Sequence, residues 1–266
     1  MSNSRMCRLL AYSGPTIALA KLISEPEHSL VVQSYAPREM TSGRLNADGF
    51  GFAWYDAARQ AEPFLYRNIL PIWSDANLPS LAAYIAAPSI LANVRSATPG
   101  QSLDFSNTQP FAFGRFSVIH NGFVDNFAGA VRRRLREGFE DETHDAIRGT
   151  TDSEHLFGWL IQHVRAAPSV AEGLDRALAS LVAHLPEARM TLNFILSDGR
   201  TLAASRHAHN CPAPSLYVLE RHARFPDAVL VASEPLFEDA AWRAVPPGHL
   251  VTVDEDRHIA LAPLAG

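Results

Sequence analysis

Cys7 is the residue from which chemistry is most directly inferred. It follows Met6 and precedes the apolar stretch 8–12, which is typical of a strand. If the residues up to Met6 are removed, Cys7 carries a free α-amine as well as a thiol, and such an amine has a reference pKa of about 7.7–8.0. One residue can then supply both a nucleophile and the base that activates it. The alternative is that Cys7 is a small buried hydrophobic side chain.

Two further polar groups follow predicted apolar strands. Arg95 comes after the stretch 90–94, and a guanidinium is the natural bidentate partner of a carboxylate. It could equally end its strand in a surface ion pair. Asn121 and Gly122 follow the predicted strand 116–120. An Asn amide beside a Gly N–H gives two donors for one oxyanion, although Asn-Gly is also the commonest hairpin turn signal.

Asp152 stands just before a predicted helix over 153–166. A carboxylate at this position could bind a substrate ammonium, or it could simply cap the helix. The motif His207-x-His209-x-Cys211 has metal-ligand spacing, but no fourth ligand is evident, and we predict no metal site.

Composition excludes several classes of protein. The chain has 266 residues, of which 47% are hydrophobic and 19% charged, and a net charge of −5. The one basic run, Arg132–Arg134, is interpreted as a solvated helix face, so no nucleic-acid partner is predicted. Two cysteines argue against a disulfide-built scaffold. Neither a signal peptide nor a membrane span is recognised, and we predict a cytoplasmic location.

The order of predicted elements is strands, then helices, then antiparallel-looking strands, which favours one α+β domain. Helices are predicted over 17–23, 126–137, 153–166 and 170–185.

The polar groups occur in the order nucleophile, Arg-x-x-Thr, Asn-Gly, Asp. This set resembles the class II glutamine amidotransferase domains, whose nucleophile is N-terminal. The resemblance implies the following roles: Cys7 as nucleophile, Arg95 and Thr98 in the segment that holds the substrate α-carboxylate, Asn107 and Pro110 in the N-x-x-P stretch, Asn121 and Gly122 as oxyanion donors, and Asp152 as the partner of the α-ammonium. It also implies a four-layer αββα sandwich with two mainly antiparallel sheets between helical layers.

Five segments resemble one branch of this family, the γ-glutamyl-hercynylcysteine S-oxide hydrolases of ergothioneine biosynthesis: 33–38, 46–51, 72–76, 94–98 and 232–236. This resemblance implies a free-standing hydrolase that releases glutamate through a Cys7 thioester. Its partner is a small γ-glutamyl substrate, and no cofactor is needed. Domains of this type often form homodimers.

The residues before Cys7 depart from the family, whose nucleophile follows the initiator Met directly. We therefore expect residues 7–266 to form the single domain, with 1–6 as a leader or a mis-assigned start. Two other functions stay open: a general glutaminase or ammonia-donating subunit, and an inert γ-glutamyl-binding regulatory module.

Overall fold

Strands account for most of the regular structure. The computed structural model describes residues 6–40, 45–97 and 101–265. Within these ranges the strands are β1 (Arg8–Ala18), β2 (Phe50–Trp54), β3 (Phe64–Asn68), β4 (Ala86–Val94), β5 (Phe111–Phe113), β6 (Phe116–Val124), β7 (Met190–Ser197), β8 (Leu202–Arg206), β9 (Ala208–His209), β10 (Tyr217–His222), β11 (Phe225–Ala232), β12 (Arg243–Ala244), β13 (His249–Val253) and β14 (Ile259–Pro263).

The α-helices in the same ranges are α1 (Ala20–Ile23), α2 (Leu30–Tyr35), α3 (Leu78–Tyr84), α4 (Arg132–Glu137), α5 (Asp141–Ala146), α6 (Asp152–Arg165) and α7 (Val170–His184). Short 3-10 turns cover Ile72–Ser74 and Phe105–Asn107, and a kinked segment at Phe127–Val131 precedes α4.

The strands form two antiparallel sheets. Sheet I has the order β12-β10-β11-β1-β4-β2-β3, and sheet II has the order β14-β13-β8-β7-β6-β5, with β9 also paired to β7. In sheet I, β1 lies between β11 and β4, and Leu10 is opposite both Ala232 and Ala92. The first residues of β1 are therefore held at the centre of a sheet.

Alternation along the strands divides the core into three apolar clusters. Leu10 and Tyr12 pack with α1, α2 and α3 on the outer face of sheet I. Leu9 and Ala11 point the other way and pack against Ile119 of sheet II. The outer face of sheet II packs against α4, α6 and α7. The predicted αββα sandwich is confirmed, and the layer between the two sheets, here called the inter-sheet layer, is the part that matters for chemistry.

Two predicted helices are wrong in part. The helix over 17–23 shrinks to α1, because β1 continues past an irregularity and pairs Ile17 with Ala87 of β4. In the helix over 126–137, Asn126 is left-handed and Gly129 is non-helical, so regular α-helix begins only at Arg132. Helix α6 begins and ends one residue earlier than predicted, and α7 ends one residue earlier.

Candidate active site

Cys7 lies directly before β1, at the end of this central strand. The alternation that turns Leu9 and Ala11 inwards also turns Cys7 into the inter-sheet layer, where the residue is 8% exposed. Burial raises the pKa of the thiol, while a hydrogen bond from the Ser96 main chain, the charge of Arg95 and the side chain of Asn93 act in the opposite direction. At neutral pH the thiol therefore keeps its proton until a base removes it.

Arg95 is the first residue after β4, and it is buried rather than part of a surface ion pair. One guanidinium nitrogen donates to the Asp48 carbonyl at 3.2 Å and another to Gln101 Oε1 at 3.1 Å. Burial lowers the pKa of Arg95, and the charges of Cys7, Asp48 and Asp152 all counteract this shift. A buried cation thus faces the thiol and two carboxylates.

Asp48 fastens the turn before β2 to the segment that carries Arg95. Its Oδ2 accepts the Ala97 N–H at 2.8 Å, and its own N–H donates to the Arg95 carbonyl at 3.0 Å. This pairing fixes the backbone on both sides of the guanidinium.

Asn121 lies inside β6, where it pairs with Asn193, so the alternative of a hairpin turn at Asn121-Gly122 is wrong. The side chain is fully buried, and neither its Nδ2 nor its Oδ1 has a hydrogen-bond partner among the described residues. Buried amides are rarely left unpaired, because each missing hydrogen bond costs about 1–3 kcal/mol. A group in this state is a candidate for binding a ligand.

The position of Asn121 within the inter-sheet layer follows from two contacts at the end of that layer farther from Cys7. Ser117 of β6 hydrogen-bonds Tyr55, whose N–H donates to the Ser89 carbonyl of β4. From that end, β6 runs from Ser117 to Asn121 while β4 runs from Ser89 to Asn93, both towards Cys7. Asn121, Asn93 and the thiol therefore share one end of the layer.

Gly122 allows a close approach that no other residue would permit. A Cβ at this position would lie 1.9 Å from the Thr191 carbonyl oxygen and 2.3 Å from Nε2 of His120. The His120 ring is buried, with Nε2 at 2.9 Å from that carbonyl and Nδ1 at 2.9 Å from the Ser153 hydroxyl. Burial lowers the pKa of His120, which favours the neutral ring with its proton on Nε2.

Asp152 is the first residue of α6, and the helix is capped by Thr151, not by Asp152. The Thr151 hydroxyl accepts the Glu154 N–H, which frees the Asp152 carboxylate from capping. Its Oδ2 accepts the Val124 N–H at 2.9 Å, and its charge acts on Arg95. The carboxylate therefore links the end of β6 to the cation beside the thiol.

Asn107 connects the loop after Arg95 to the approach to α6. Its Oδ1 accepts the Thr150 N–H at 2.8 Å, and its Nδ2 donates to the Ser102 hydroxyl at 2.9 Å. Thr98 lies outside the described residues, so its predicted place in the site stays a prediction.

Comparison with known proteins identifies the family. The profile of the class II glutamine amidotransferases matches residues 6–230. The chain belongs to this family.

Whole-length relatives narrow the comparison. The γ-glutamyl-hercynylcysteine sulfoxide hydrolase of Mycolicibacterium smegmatis is 35% identical over 263 residues, which is 97% of this chain and 100% of that protein. Its counterpart from Mycobacterium tuberculosis is 35% identical over 94% of each chain. A probable glutamine amidotransferase of Saccharomyces cerevisiae, DUG3, is 31% identical over 93% of this chain and 82% of its own.

Solved structures agree with the class II amidotransferase assignment. A class II domain protein from Silicibacter pomeroyi superposes with a TM-score of 0.72 at 30% identity, covering 98% of this chain and all of that one. The Bacillus subtilis glutamine phosphoribosylpyrophosphate amidotransferase gives a TM-score of 0.64 at 15% identity, covering 97% of this chain and 49% of its own, and shares the fold alone.

Asn93, a residue of this candidate site, was not predicted from the sequence. Asn93 lies near the end of β4, where its side chain acts to lower the pKa of the Cys7 thiol and its Nδ2 donates to the Arg8 carbonyl at 3.5 Å. The tight turn at Asp48 lies in the segment 46–51, and the sequence leaves two interpretations of it: a position near the substrate, or turn formation alone. A buried Asn within an apolar strand is the signal that would have pointed to Asn93.

The structure also describes the surroundings of the His207-x-His209-x-Cys211 motif and the lengths of the helices. Over the described ranges, no group of three or more His, Cys, Asp or Glu side chains is arranged to hold a metal ion. His209 instead contacts the Pro186 carbonyl at 2.8 Å. No helix in the described part of the chain has the length and apolar character needed to cross a membrane.

Proposed function

We propose that this protein hydrolyses a γ-glutamyl amide and releases glutamate, with a γ-glutamyl-hercynylcysteine sulfoxide as substrate. The observation that carries the proposal is the buried guanidinium of Arg95. It interacts electrostatically with Cys7 and with the carboxylates of Asp48 and Asp152. The substrate is that named for the bacterial relatives at 35% identity over nearly the whole chain.

Substrate binding uses the two charges of the glutamyl group. Arg95 binds the α-carboxylate, replacing its contact with Gln101, and Asp152 binds the α-ammonium. Thr98 adds a hydroxyl to the carboxylate subsite. Held at both charges, the γ-carbonyl is fixed over the Cys7 sulfur, and such positioning converts attack into an effectively unimolecular step.

The reaction passes through a thioester. The Cys7 amine takes the thiol proton through a water molecule, and the thiolate attacks the γ-carbonyl. The Asn121 amide and the Gly122 N–H donate to the oxyanion. The amine then gives its proton to the leaving nitrogen, and the C–N bond breaks. Water hydrolyses the thioester, which regenerates the thiol and completes the release of glutamate.

This mechanism requires Cys7 to be the first residue of the mature chain. Met6 is itself buried beside Cys7. Either Met6 is the initiator that is removed, or a leader of six residues is cleaved, and the domain then comprises residues 7–266. A cytoplasmic location and a homodimer stay predictions.

Hydrolysis of free glutamine is the second candidate, because the yeast relative is named a probable glutamine amidotransferase. The two activities share every step up to the thioester and differ in the group that leaves. Recognition of the leaving group therefore decides between them.

The test compares substrates and records the chain start. Glutamate release is measured for γ-glutamyl-hercynylcysteine sulfoxide and for glutamine, with Cys7→Ala as the inactive control, and intact mass gives the first residue. We expect the sulfoxide to have the higher kcat/KM and the mass to begin at Cys7. Preference for glutamine would favour the second candidate. An active enzyme that retains residues before Cys7 would exclude the amine as base, and an inert protein would be a binding module.

A further inference from the structure

A cluster of three buried titratable side chains lies on the face of sheet I opposite to the thiol. Arg8 is fully buried, Glu234 is 1% exposed and His28 is 3% exposed. Arg8 Nη1 donates to Glu234 Oε1 at 2.7 Å, and His28 Nε2 lies 2.7 Å from Glu234 Oε2. Because Arg8 alternates with Cys7 along β1, the cluster lies behind the candidate active site and outside its predicted chemistry.

Glu234 also holds a second stretch of backbone. Its Oε2 accepts the Arg38 N–H at 2.8 Å, and its Oε1 accepts the Glu39 N–H at 3.0 Å. Burial alone would raise the pKa of Glu234, but these bonds, with His28 and Arg8, hold that pKa at about 2. The carboxylate is therefore ionised and accepts four hydrogen bonds.

Arg8 carries the connection to the nucleophile. Its Nε donates to the Cys7 carbonyl oxygen at 2.7 Å while Nη1 is bound to Glu234. One planar guanidinium thus joins the Cys7 main chain to a fixed carboxylate. The geometry of Cys7 is set from its carboxyl side.

Burying these charges is costly, since an ion pair inside a protein is often no more stable than apolar residues of similar volume. Stability alone therefore does not explain the cluster. Glu234 and Arg38 also lie in two of the segments that resemble the hydrolase branch, and the roles proposed above for substrate and oxyanion binding use neither segment.

We propose that Glu234 is a positioning residue, which through Arg8 fixes the main chain of Cys7 and through two N–H groups ties the segment after α2 to the same strand. The proposal rests on the function proposed above. A nucleophile at the start of a chain has no preceding peptide bond to hold it. The carbonyl contact with Arg8 restrains rotation about Cα–C, and so fixes where the amine and the thiol point.

The test uses variants of the full chain assayed for glutamate release. Glu234→Gln leaves the Arg8 charge unneutralised, and Arg8→Met, with an unbranched side chain, removes both charge and donor. For each we expect kcat to fall about 100-fold, the effect of a displacement of roughly 1 Å. KM is expected to change less than threefold, because Arg95 and Asp152 are intact.

The pH profile separates positioning from a merely structural role. The charges that act on Cys7 are those of Arg8, from the opposite face of the sheet, and of Arg95 after β4. Glu234 and Glu39 act in turn on Arg8, and Asp48 and Asp152 on Arg95. In Glu234→Gln the surroundings of the amine become more positive, so the acidic limb of kcat/KM moves to lower pH. In Arg8→Met they become more negative, and the limb moves to higher pH. Arg8→Lys keeps the charge and loses the Nε donor, so kcat falls without a shift.

Matched controls accompany these variants. His28→Gln keeps a donor to Glu234 and does not contact Cys7, so we expect its kcat within twofold of wild type. Arg224→Met removes an exposed partner of Glu27 and provides the same substitution outside the cluster. If Arg8→Met fails to fold, the double variant Arg8→Met with Glu234→Met removes both buried charges, and the same loss of kcat is expected.

The outcomes distinguish the two proposals. An active wild type whose Glu234→Gln and Arg8→Met, or double, variants keep kcat within threefold would overturn the positioning role and leave the proposed function intact. If the acidic limb of kcat/KM moved in the same direction in Glu234→Gln and Arg8→Met, that result would also overturn the positioning role. A wild type that hydrolyses no γ-glutamyl amide would overturn the proposed function itself.

Discussion

The two ends of the inter-sheet layer are both polar, but they differ in how their polar groups are paired. At one end, the Tyr55 hydroxyl lies 2.8 Å from the Ser117 hydroxyl and within 3.0 Å of the Arg115 and Ser197 carbonyls. At the other end, Asn121 and Oδ1 of Asn93 are buried without hydrogen-bond partners among the described residues.

Under the proposed function, this contrast separates polar groups that stabilise the fold from those that bind the substrate. The Tyr55 end closes the sandwich with satisfied hydrogen bonds, and Gly199 allows the ring to pack closely, since a Cβ there would lie 2.5 Å from it. The Cys7 end leaves the Asn121 amide and Oδ1 of Asn93 unpaired beside the proposed nucleophile, at a cost that folding must offset elsewhere. Substitutions should therefore affect stability at one end and turnover at the other.

Cys7→Ala gives the largest expected effect. Removing the sulfur removes the thioester route, so glutamate release should fall at least 1,000-fold, while a small buried side chain costs little stability. Initial rates and thermal melts measure the two quantities. Residual turnover above a few per cent of wild type would mean that Cys7 is not the nucleophile and that the two ends of the layer do not differ in function as proposed.

Asn121→Ala should lower kcat by about 10²–10³-fold, or about 2.7–4 kcal/mol of barrier, because one oxyanion donor is lost. Its unfolding free energy should be unchanged or higher, since an unpaired buried amide is deleted. Urea unfolding and steady-state kinetics on the same preparation check both. A clear loss of stability with normal kcat would mean that Asn121 builds the fold, as Tyr55 does.

Glu234→Gln tests the buried carboxylate that holds Arg8, and through it Cys7, from the other face of sheet I. The folded-state pKa of Glu234 is about 2, against an ordinary value of 4.5, so its ionisation stabilises the fold above about pH 4.5. This contribution is lost as pH falls towards 2. At about 1.4 kcal/mol per pH unit between pH 4.5 and pH 2, this contribution amounts to about 3.5 kcal/mol. Urea unfolding from pH 6 to pH 3 should show the gap between wild type and variant narrowing; a constant gap would contradict this.

Tyr55→Phe gives the smallest expected effect on turnover. In contrast to Asn121→Ala, it should lower stability and leave kcat nearly unchanged. Loss of the hydroxyl leaves buried groups of Ser117 and Ser197 with one partner fewer, which should cost about 1–2 kcal/mol of unfolding free energy. The kcat should stay within twofold of wild type, because Ser89 and Asn93 mark the two ends about 13 Å apart along β4. Reduced kcat with unchanged stability would show that the two ends are not independent.

Local patterns in the sequence predicted one α+β domain, the two long helices and the residue types of the site, whereas the four-layer sandwich was implied by the family resemblance. These patterns failed where pairing between strands that are far apart in the sequence determines the local structure. The Asn-Gly pair looks like a turn because this dipeptide is the commonest hairpin signal, yet β7 pairs with the residues on both sides of Asn121. The extension of β1 to Ala18 likewise depends on β4, which lies far along the chain.

The site itself divides in the same way. Motif order brought Arg95 and Asp152 into one hypothesis, because each is recognisable from its immediate neighbours. Asn93 and Arg8 lack such local marks, and Asp48 and Glu234 are marked only by the segments that resemble the hydrolase branch. Their importance arises from burial and from contacts between segments that only the folded chain brings together.

The attachment of Cys7 to a central strand bears on how the protein should be handled in the laboratory. Because Met6 and Cys7 are both buried, a peptide fused ahead of Cys7 would be joined to the chain inside the fold, next to the thiol. At the other terminus, β14 is the edge strand of sheet II, with exposed side chains from Ala260 to Pro263. An affinity tag belongs there, and a cleavable tag in front of Cys7 would work only if the protease leaves no extra residue.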